Sequence, residues 1–284
     1  MPAPNSIEGS GNQIPLRANR PIVGSIPAPW LVASGAGELR RARHHRWSLE
    51  ISRNKGGADP QALMVAHDAH GQFQAYVDEI VERHRRSPGS GGALVTALIG
   101  AEQDERMAPD ELAANILIPL VAGHETTTNL MAIGTMELLR RPAQWQALVD
   151  DERLVPNALD ELLRVVSPVH WVPRFAERDV VVAGAEIGAG ETIVPLIPAA
   201  NRDPAVFPRP HELDVRRPEA RQNVAFGFGP HFCLGAALGR LEAGIALRTL
   251  VTRFPRLRLA ADDLDWTGHA MLRRLVRLPV GLER

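Results

Sequence analysis

The sequence predicts a mainly α-helical protein with a minor β-sheet. Over much of the chain, apolar residues recur at intervals of three and four, which is the spacing of one face of a helix. Only residues 179–197 carry valine-rich runs separated by glycines, the pattern of short strands and turns. Hydrophobic residues make up 45% of the 284 positions, so the chain can bury a substantial core.

The charge balance and the single cysteine argue against several classes of protein. Basic residues number 32 and acidic residues 33, so the net charge is −1 and nucleic acid is not an expected partner. One cysteine is incompatible with a disulfide-bonded secreted scaffold. We see no segment with the pattern of a membrane span or a signal peptide, and therefore expect a cytoplasmic protein without a membrane partner.

The predicted domain does not begin at the first residue. Residues 1–37 are rich in proline, glycine, serine and asparagine and lack periodicity, so we expect an irregular, poorly ordered segment. Helical signals begin at Glu38, and residues 38–284 form the predicted domain.

Two helices open this domain. The first is predicted over 39–51, where a short basic cluster is more typical of a solvated face than of a nucleic-acid site. The second follows Asp59 and Pro60, a pair that suits a helix start, and carries Phe73 and Val77 on its apolar side.

A long buried helix is predicted over 109–140. Residues 112–122 are apolar almost all round, and Pro119 removes one helical hydrogen bond, so we expect a kink there. The sequence Gly-His-Glu-Thr-Thr at 123–127 then places an acid and hydroxyls in the middle of an apolar helix. It forms either a functional groove or a polar contact between helices, in which Thr126 bonds to its own backbone.

Two shorter patterns follow. Glu161 and Arg164 lie three residues apart on a short amphipathic helix that ends at Ser167, so the two side chains share one face. Taken alone, such a pair is most often an exposed salt bridge. The runs at 179–183 and 191–197 predict two short strands with glycine turns between them.

The only cysteine, Cys233, follows a glycine-bearing turn and precedes a helical pattern. Gly227 and Gly229 can adopt positive φ, which lets the backbone fold back sharply. Beyond the cysteine, Leu241 and its apolar neighbours recur at helical spacing, so the thiol lies near a helix N-terminus, where a thiolate is stabilised. The alternatives are a small buried apolar residue or a nucleophile, while zinc would need more ligands than nearby His231 supplies.

This run resembles the haem-binding signature of the cytochrome P450 family. The matching residues are Phe226, Gly227, Gly229, His231, Cys233 and Gly235. The Gly-x-Glu-Thr-Thr motif and the Glu-x-x-Arg pair precede the signature in the order that the family has. The resemblance implies a partial P450 fold that lacks the family's N-terminal helices and strands.

The resemblance also implies a haem b cofactor and a role for each motif residue. Cys233 is expected to be the axial thiolate ligand of the iron, a ligand that favours O–O cleavage. Phe226 is expected to pack beside the thiolate, and the glycines of the signature complete the cofactor-binding set. Arg174 and His231 match the residues that bind the haem propionates.

The other two motifs acquire roles in the same way. In the resembled family, the residue at Thr126 holds oxygen and a water beside the haem, and the acid at Glu125 helps to relay protons. The family's Glu-x-x-Arg pair is buried with a further arginine and fixes the loop that carries the cysteine. Arg217 is the candidate for that third member beside Glu161 and Arg164.

The resemblance implies a monooxygenase that inserts one atom of O2 into a small apolar organic substrate. Electrons are expected from a ferredoxin and ferredoxin reductase-type partner. Two alternatives stay open: a shortened non-catalytic remnant that acts as an interaction module or has no activity, and a haem-thiolate enzyme that uses peroxide directly. The retained motif residues favour the first function, and the Glu125–Thr126 pair argues against the peroxide enzyme, because that pair serves oxygen activation.

Overall fold

The protein is described by a computed structural model. It covers residues 43, 46–51, 59–88, 92–269 and 271–282. The segment predicted over 1–37 lies outside the described residues, as does part of the helix predicted over 39–51, of which residues 43 and 46–51 are described and helical. Within the described ranges the fold is mainly helical with little strand, which confirms the predicted fold class.

Helices of 4 to 31 residues build most of the described chain. Beyond the helical stretch 46–51, they are α1 (Pro60–Arg86), α2 (Gly92–Gln103), α3 (Pro109–Leu139), α4 (Pro142–Asp150), α5 (Val155–Val166), α6 (Ile197–Ala200) and α7 (Ala236–Arg253). Among the residues that the structure describes, no helix combines the length and the apolar character needed to cross a bilayer.

The strands form four separate two-stranded antiparallel sheets in the described ranges. The strands are β1 (Arg174–Phe175), β2 (Val180–Val182), β3 (Ala185–Ile187), β4 (Thr192–Ile193), β5 (Leu257–Leu259), β6 (Trp266–His269), β7 (Leu272–Leu275) and β8 (Val280–Leu282). The pairs are β1 with β4, β2 with β3, β5 with β8, and β6 with β7. The minor sheet of the prediction is therefore divided into four small ones.

The strand prediction for 191–197 is wrong in extent. Only Thr192–Ile193 is a strand there, and Ile197 already begins α6. The hairpin partner of β2 is β3, because Ala183 and Gly184 both have positive φ, +50° and +84°. Two consecutive residues of this kind form the tight turn that suits a two-residue hairpin.

Helix α1 begins and packs as its sequence predicts. The Asp59 carboxylate accepts a hydrogen bond from the backbone N–H of Gln61 (3.0 Å), which caps the helix. Phe73 and Val77 are fully buried on its apolar face. They join a core with Trp47 and the first half of α3.

Helix α3 is the central element because it belongs to two cores. Its first half, up to Val121, packs with α1 and α2. Its second half, from Leu130, packs with α4, α5 and α7. The helix continues through Pro119 without a break and ends one residue before the predicted end. The polar motif at 123–127 therefore lies at the junction of the two cores.

Candidate functional site

The cysteine loop is a tight turn closed by backbone hydrogen bonds. The N–H of Cys233 donates to the carbonyl of Phe226 (2.9 Å), and the N–H of Phe232 donates to the carbonyl of Gly229 (2.9 Å). Gly227 and Gly229 have φ of +74° and +72°, which confirms the sequence prediction for both. A side chain at either position would strain the backbone, so glycine is required there.

Helix α7 begins at Ala236, directly after the loop, with Gly235 as its N-cap. The prediction that the cysteine precedes a helix is confirmed, but the apolar residues whose spacing indicated this helix are not the ones that are buried. Leu241 is 59% exposed, whereas Ala243 and Leu247 are fully buried against α3 and α5. This helix carries apolar residues on all sides, so periodicity alone cannot identify the face that packs.

The surroundings of Cys233 fit an apolar cofactor with a metal at its centre. The thiol is exposed, which contradicts the reading of Cys233 as a buried apolar residue. A Cβ added at Gly235 would lie 4.0 Å from the Sγ of Cys233. Glycine at this position therefore leaves one side of the sulfur uncovered. Phe228 and Leu234 are 88% and 96% exposed, which gives an apolar surface beside the sulfur. One thiolate suffices for an iron that a porphyrin already holds, so the residues present fit haem.

The polar motif of α3 combines a buried acid with a back-bonded hydroxyl. Glu125 is 6% exposed. The Thr126 hydroxyl donates to the carbonyl of Ala122 (2.8 Å), which is the local geometry of the backbone-bonded alternative. Thr128 makes the same kind of contact with the carbonyl of His124 (2.7 Å). Because each hydroxyl has one proton, the Thr126 oxygen can accept further hydrogen bonds but cannot donate a second one.

The structure brings the α3 motif and the cysteine loop together at Gly239 of α7. A Cβ built there would lie 3.8 Å from Thr127 Oγ1 and 3.9 Å from the ring of Phe226. Helices α3 and α7 also pack against each other. Two motifs about 100 residues apart in sequence thus meet across one glycine, as a shared site requires.

The two residues predicted to bind propionates lie on separate elements. Arg174 is half-buried in β1, and its Nη1 donates to the carbonyl of Pro173 (2.8 Å). His231 is exposed at the end of a short 3-10 turn, Gly229–His231. An exposed imidazole beside the thiol can reach a carboxylate of a bound ligand. The propionate role stays a prediction for both.

The Glu-x-x-Arg pair is fully buried, unlike a typical surface pair. Arg164 Nε and Nη2 donate to the two oxygens of Glu161 (2.7 and 2.8 Å). Arg217 Nε and the backbone N–H of Asp214 donate to the same Oε1 (3.1 and 2.9 Å). The side chain of Arg217 is 3% exposed, so its prediction as the third member is confirmed.

Further N–H groups of the same two arginines bind the chain segment that leads to Cys233. Arg164 and Arg217 both donate to the carbonyl of Glu212 (2.8 and 3.0 Å). The other carbonyl acceptors are Asn201 and Pro210 for Arg164, and Pro208 and Arg209 for Arg217. The network therefore attaches α5 to the irregular segment 201–217.

Asn201 is a structural residue of this site that sequence reasoning missed. Its Oδ1 accepts from the backbone N–H of Val224 (2.7 Å), directly before the cysteine loop, and its Nδ2 donates to Ser167 Oγ (2.9 Å). Ser167 has φ of +42° and ends α5. These contacts join positions 34 and 23 residues apart, so a local pattern cannot indicate them.

Burial also changes the acid–base behaviour of groups near the site. Burial lowers the pKa of Arg202, and the charge of Arg164 lowers it further. Arg202 donates to the carbonyls of Val165 and Pro198 (2.7 and 3.1 Å), which holds its guanidinium in place. On α7, burial raises the pKa of the Glu242 carboxyl.

Comparison with known proteins identifies the family. The family model described as Cytochrome P450 matches residues 59–263, which is well over half of the chain. This chain belongs to the cytochrome P450 family, a membership that implies a haem cofactor. The resemblance read from the three motifs is confirmed.

Curated relatives give the extent of the similarity. The chain is 38% identical over 253 residues to 6-deoxyerythronolide B hydroxylase of Saccharopolyspora erythraea, covering 88% of this chain and 61% of that protein. It is 38% identical to vitamin D(3) 25-hydroxylase of Pseudonocardia autotrophica, covering 82% of this chain and 57% of that protein. The chain therefore spans about three fifths of the length of the relatives it matches.

Solved structures agree in fold. P450BioI, in complex with a fatty-acid-ligated acyl carrier protein, superposes with a TM-score of 0.83 at 32% identity, covering 89% of this chain and 65% of that one. The tirandamycin C-bound monooxygenase TamI superposes with a TM-score of 0.79 at 36% identity, covering 90% of this chain and 62% of that one. The described fold is thus a P450 fold over most of the chain.

Proposed function

We propose that this chain binds haem b through Cys233 and supports a P450 monooxygenase reaction on a small apolar organic substrate. The observation that carries the proposal is the exposed Cys233 thiol at the end of a glycine-shaped loop beside the α3 motif. The predicted domain 38–284 would contain the residues that bind haem on its thiolate side.

The residues that would hold the cofactor are those of the loop and its neighbours. Cys233 would ligate the iron, and Phe226, whose carbonyl accepts from the Cys233 N–H (2.9 Å), would pack beside the sulfur. Arg174 and His231 would bind the propionates, because a guanidinium and an imidazole both donate to carboxylates. When bound, haem supplies the redox-active iron that activates dioxygen.

Glu125 and Thr126 would move protons in the reaction. The carboxyl of Glu125 is buried on α3, and the following residue, Thr126, has a hydroxyl whose proton is engaged by the carbonyl of Ala122. The Thr126 oxygen would therefore accept a hydrogen bond from water, and the Glu125 carboxyl would be the proton source. The overall reaction consumes two protons and two electrons, puts one oxygen atom into the substrate and releases the other as water.

The partners follow from this chemistry. The relatives named above as hydroxylases support insertion of oxygen into an organic substrate. Electrons would arrive singly from a ferredoxin and ferredoxin reductase-type donor, and a cytoplasmic location would suit such a donor.

A reconstitution experiment tests the cofactor proposal. The purified chain is mixed with haem, reduced and exposed to carbon monoxide. A strongly red-shifted Soret band, absent in Cys233→Ala, is the expected result, because thiolate ligation produces it. His231→Ala should keep the band and weaken haem binding. Failure to take up haem, or a band that survives Cys233→Ala, would refute the proposal.

A second pair of variants tests the proton relay. With haem bound, Thr126→Ala should consume electrons without forming product. Thr128→Ala is the matched control because its hydroxyl makes the same back-bond, to His124, but lies outside the proposed pair. Equal ratios of product to electrons in the two variants would contradict the role of Thr126.

A further inference from the structure

An ion pair joins α5 to α7 immediately beside the Glu161 network. Asp160 is 6% exposed, and its Oδ1 accepts a hydrogen bond from Arg240 Nη1. Arg221 approaches the second oxygen of the same carboxylate, at 3.8 Å from its Nε. The two arginines differ in setting, because the side chain of Arg240 is 36% exposed and that of Arg221 is 86% exposed.

The guanidinium of Arg240 also stacks on an aromatic ring of the cysteine loop. Its Cζ lies 5.1 Å from the centroid of the Phe226 ring, within the range of a cation–π contact. The buried carboxylate of Asp160 thus holds the guanidinium in the orientation that covers the ring. Phe226 in turn lies 6.4 Å from the ring of Phe232, the residue before the cysteine.

Phe226 supplies both the ring that stacks on Arg240 and the carbonyl that closes the cysteine loop. The carbonyl of Phe226 accepts the hydrogen bond from the Cys233 N–H (2.9 Å), so a shift of Phe226 changes the position of the thiol. The same turn of α5 also binds the chain just before the loop. Asn223 Nδ2 donates to the carbonyl of Asp160 (3.3 Å) and to that of Ala220 (2.8 Å).

We propose that Asp160 and Arg240 are positioning residues for the cysteine loop. Asp160 orients the guanidinium, the guanidinium holds the Phe226 ring, and Phe226 closes the loop that carries Cys233. The loop arrangement stands on the described contacts alone. The consequence for haem rests on the proposed function, in which Cys233 ligates the iron.

Arg240→Lys separates this role from a simple attachment between helices. Lysine keeps a positive charge for Asp160 but lacks the planar group that stacks on the ring. Arg221→Ala is the matched control, because it removes the other arginine near Asp160 without touching Phe226. A merely structural ion pair would tolerate lysine, whereas a stacking device would not.

The first measurement uses the chain without haem. Hydrogen–deuterium exchange of a peptide that contains Cys233 reports the opening of the bond to Phe226. We expect about fivefold faster exchange in Arg240→Lys, because the strongly hydrated ammonium does not replace the planar guanidinium stacked on the ring, and no change in Arg221→Ala. Combined with Phe226→Leu, Arg240→Lys should add no further effect, since the ring is already gone.

The second measurement uses the chain with haem. In Arg240→Lys the reduction potential should shift and a smaller fraction of the carbon monoxide complex should show the thiolate band, while Arg221→Ala should match the parent. Unchanged exchange in Arg240→Lys, or equal effects of the two arginine variants, would overturn the positioning role. If the exchange responds but no variant or parent binds haem, the positioning role stands and the proposed function fails.

Should Arg240→Lys fail to fold, Asp160→Asn carries the same test. It keeps the shape of the side chain and removes the charge that orients the guanidinium. It should also accelerate exchange about Cys233, and exchange at the parental rate would refute the proposal.

Discussion

Replacement of Glu161 by glutamine tests the largest energetic claim that the structure supports. The Glu161 carboxylate is 0% exposed and accepts from two arginine side chains and one backbone N–H. Glutamine has the same shape, but it is neutral and presents an NH2 group to these donors. Because it leaves Arg164 and Arg217 as buried charges without their counter-ion, we expect a loss of about 3–5 kcal/mol in the free energy of unfolding.

The chain contains its own control for this substitution. Glu82 and Arg85 form the same Glu-x-x-Arg spacing on α1, with an N–O distance of 2.9 Å, but their side chains are 58% and 41% exposed. Arg85 also keeps Glu102 as a partner at 3.1 Å. Glu82→Gln should therefore cost about 0.5 kcal/mol or less.

Thermal and urea unfolding, followed by circular dichroism, compare the two variants. A loss of about 3–5 kcal/mol corresponds to a fall in Tm of roughly 10 °C for a chain of this size, against about 1–2 °C for Glu82→Gln. If the two variants differ by less than about 1 kcal/mol, the buried pair is no stronger than an exposed one. The network would then not be what fixes the cysteine-bearing segment.

Three further substitutions have defined outcomes. The raised pKa of Glu242 means that the folded protein binds its proton more tightly than the unfolded chain, so its contribution to stability falls as pH rises from 4.5 through the raised value. Glu242→Gln should therefore raise Tm at pH 7 and match the parent at pH 4, and a constant difference in thermal melts would contradict this origin. Gly229→Ala should lower the free energy of unfolding by about 1–2 kcal/mol. No atom lies within 4 Å of a Cβ built at Gly229, so the cost comes from its φ of +72° and not from a steric clash. Gly71 lies on α1 with equally open space around its Cα, so Gly71→Ala should raise the free energy of unfolding by about 0.5–1 kcal/mol. If urea unfolding shows that both glycine substitutions change stability in the same direction, the positive φ of Gly229 is not the cause.

The features that could be predicted from the sequence are local ones. Positive φ at Gly227 and Gly229 follows from residue type in a tight turn, and the cap at Asp59 follows from its position before Pro60. The burial of Glu161 could not be derived from its spacing, because Glu82 has the same spacing and is exposed. Only the order of three motifs, taken as a family resemblance, distinguished the two.

The features that could not be predicted depend on distant partners. Asp160 and Arg240 are 80 residues apart, and each resembles an ordinary charged residue of a helix surface. The buried face of α7 could not be predicted, because that helix carries apolar residues on all sides, so its neighbours, and not its periodicity, decide which side packs. The pairing of β2 with β3 depends on positive φ at both Ala183 and Gly184. Residue type indicated a positive φ at the glycine but not at the alanine.

The position of Cys233 is determined from both sides by one turn of α5. Glu161 binds Arg217 and the N–H of Asp214, which precede the cysteine loop. Asp160, the adjacent residue, binds Arg240, which follows it. Consecutive residues of a helix point about 100° apart, so two buried acids side by side require α5 to be covered on two flanks. The chain before the loop covers one flank and α7 covers the other, and the thiol lies where these two attachments meet.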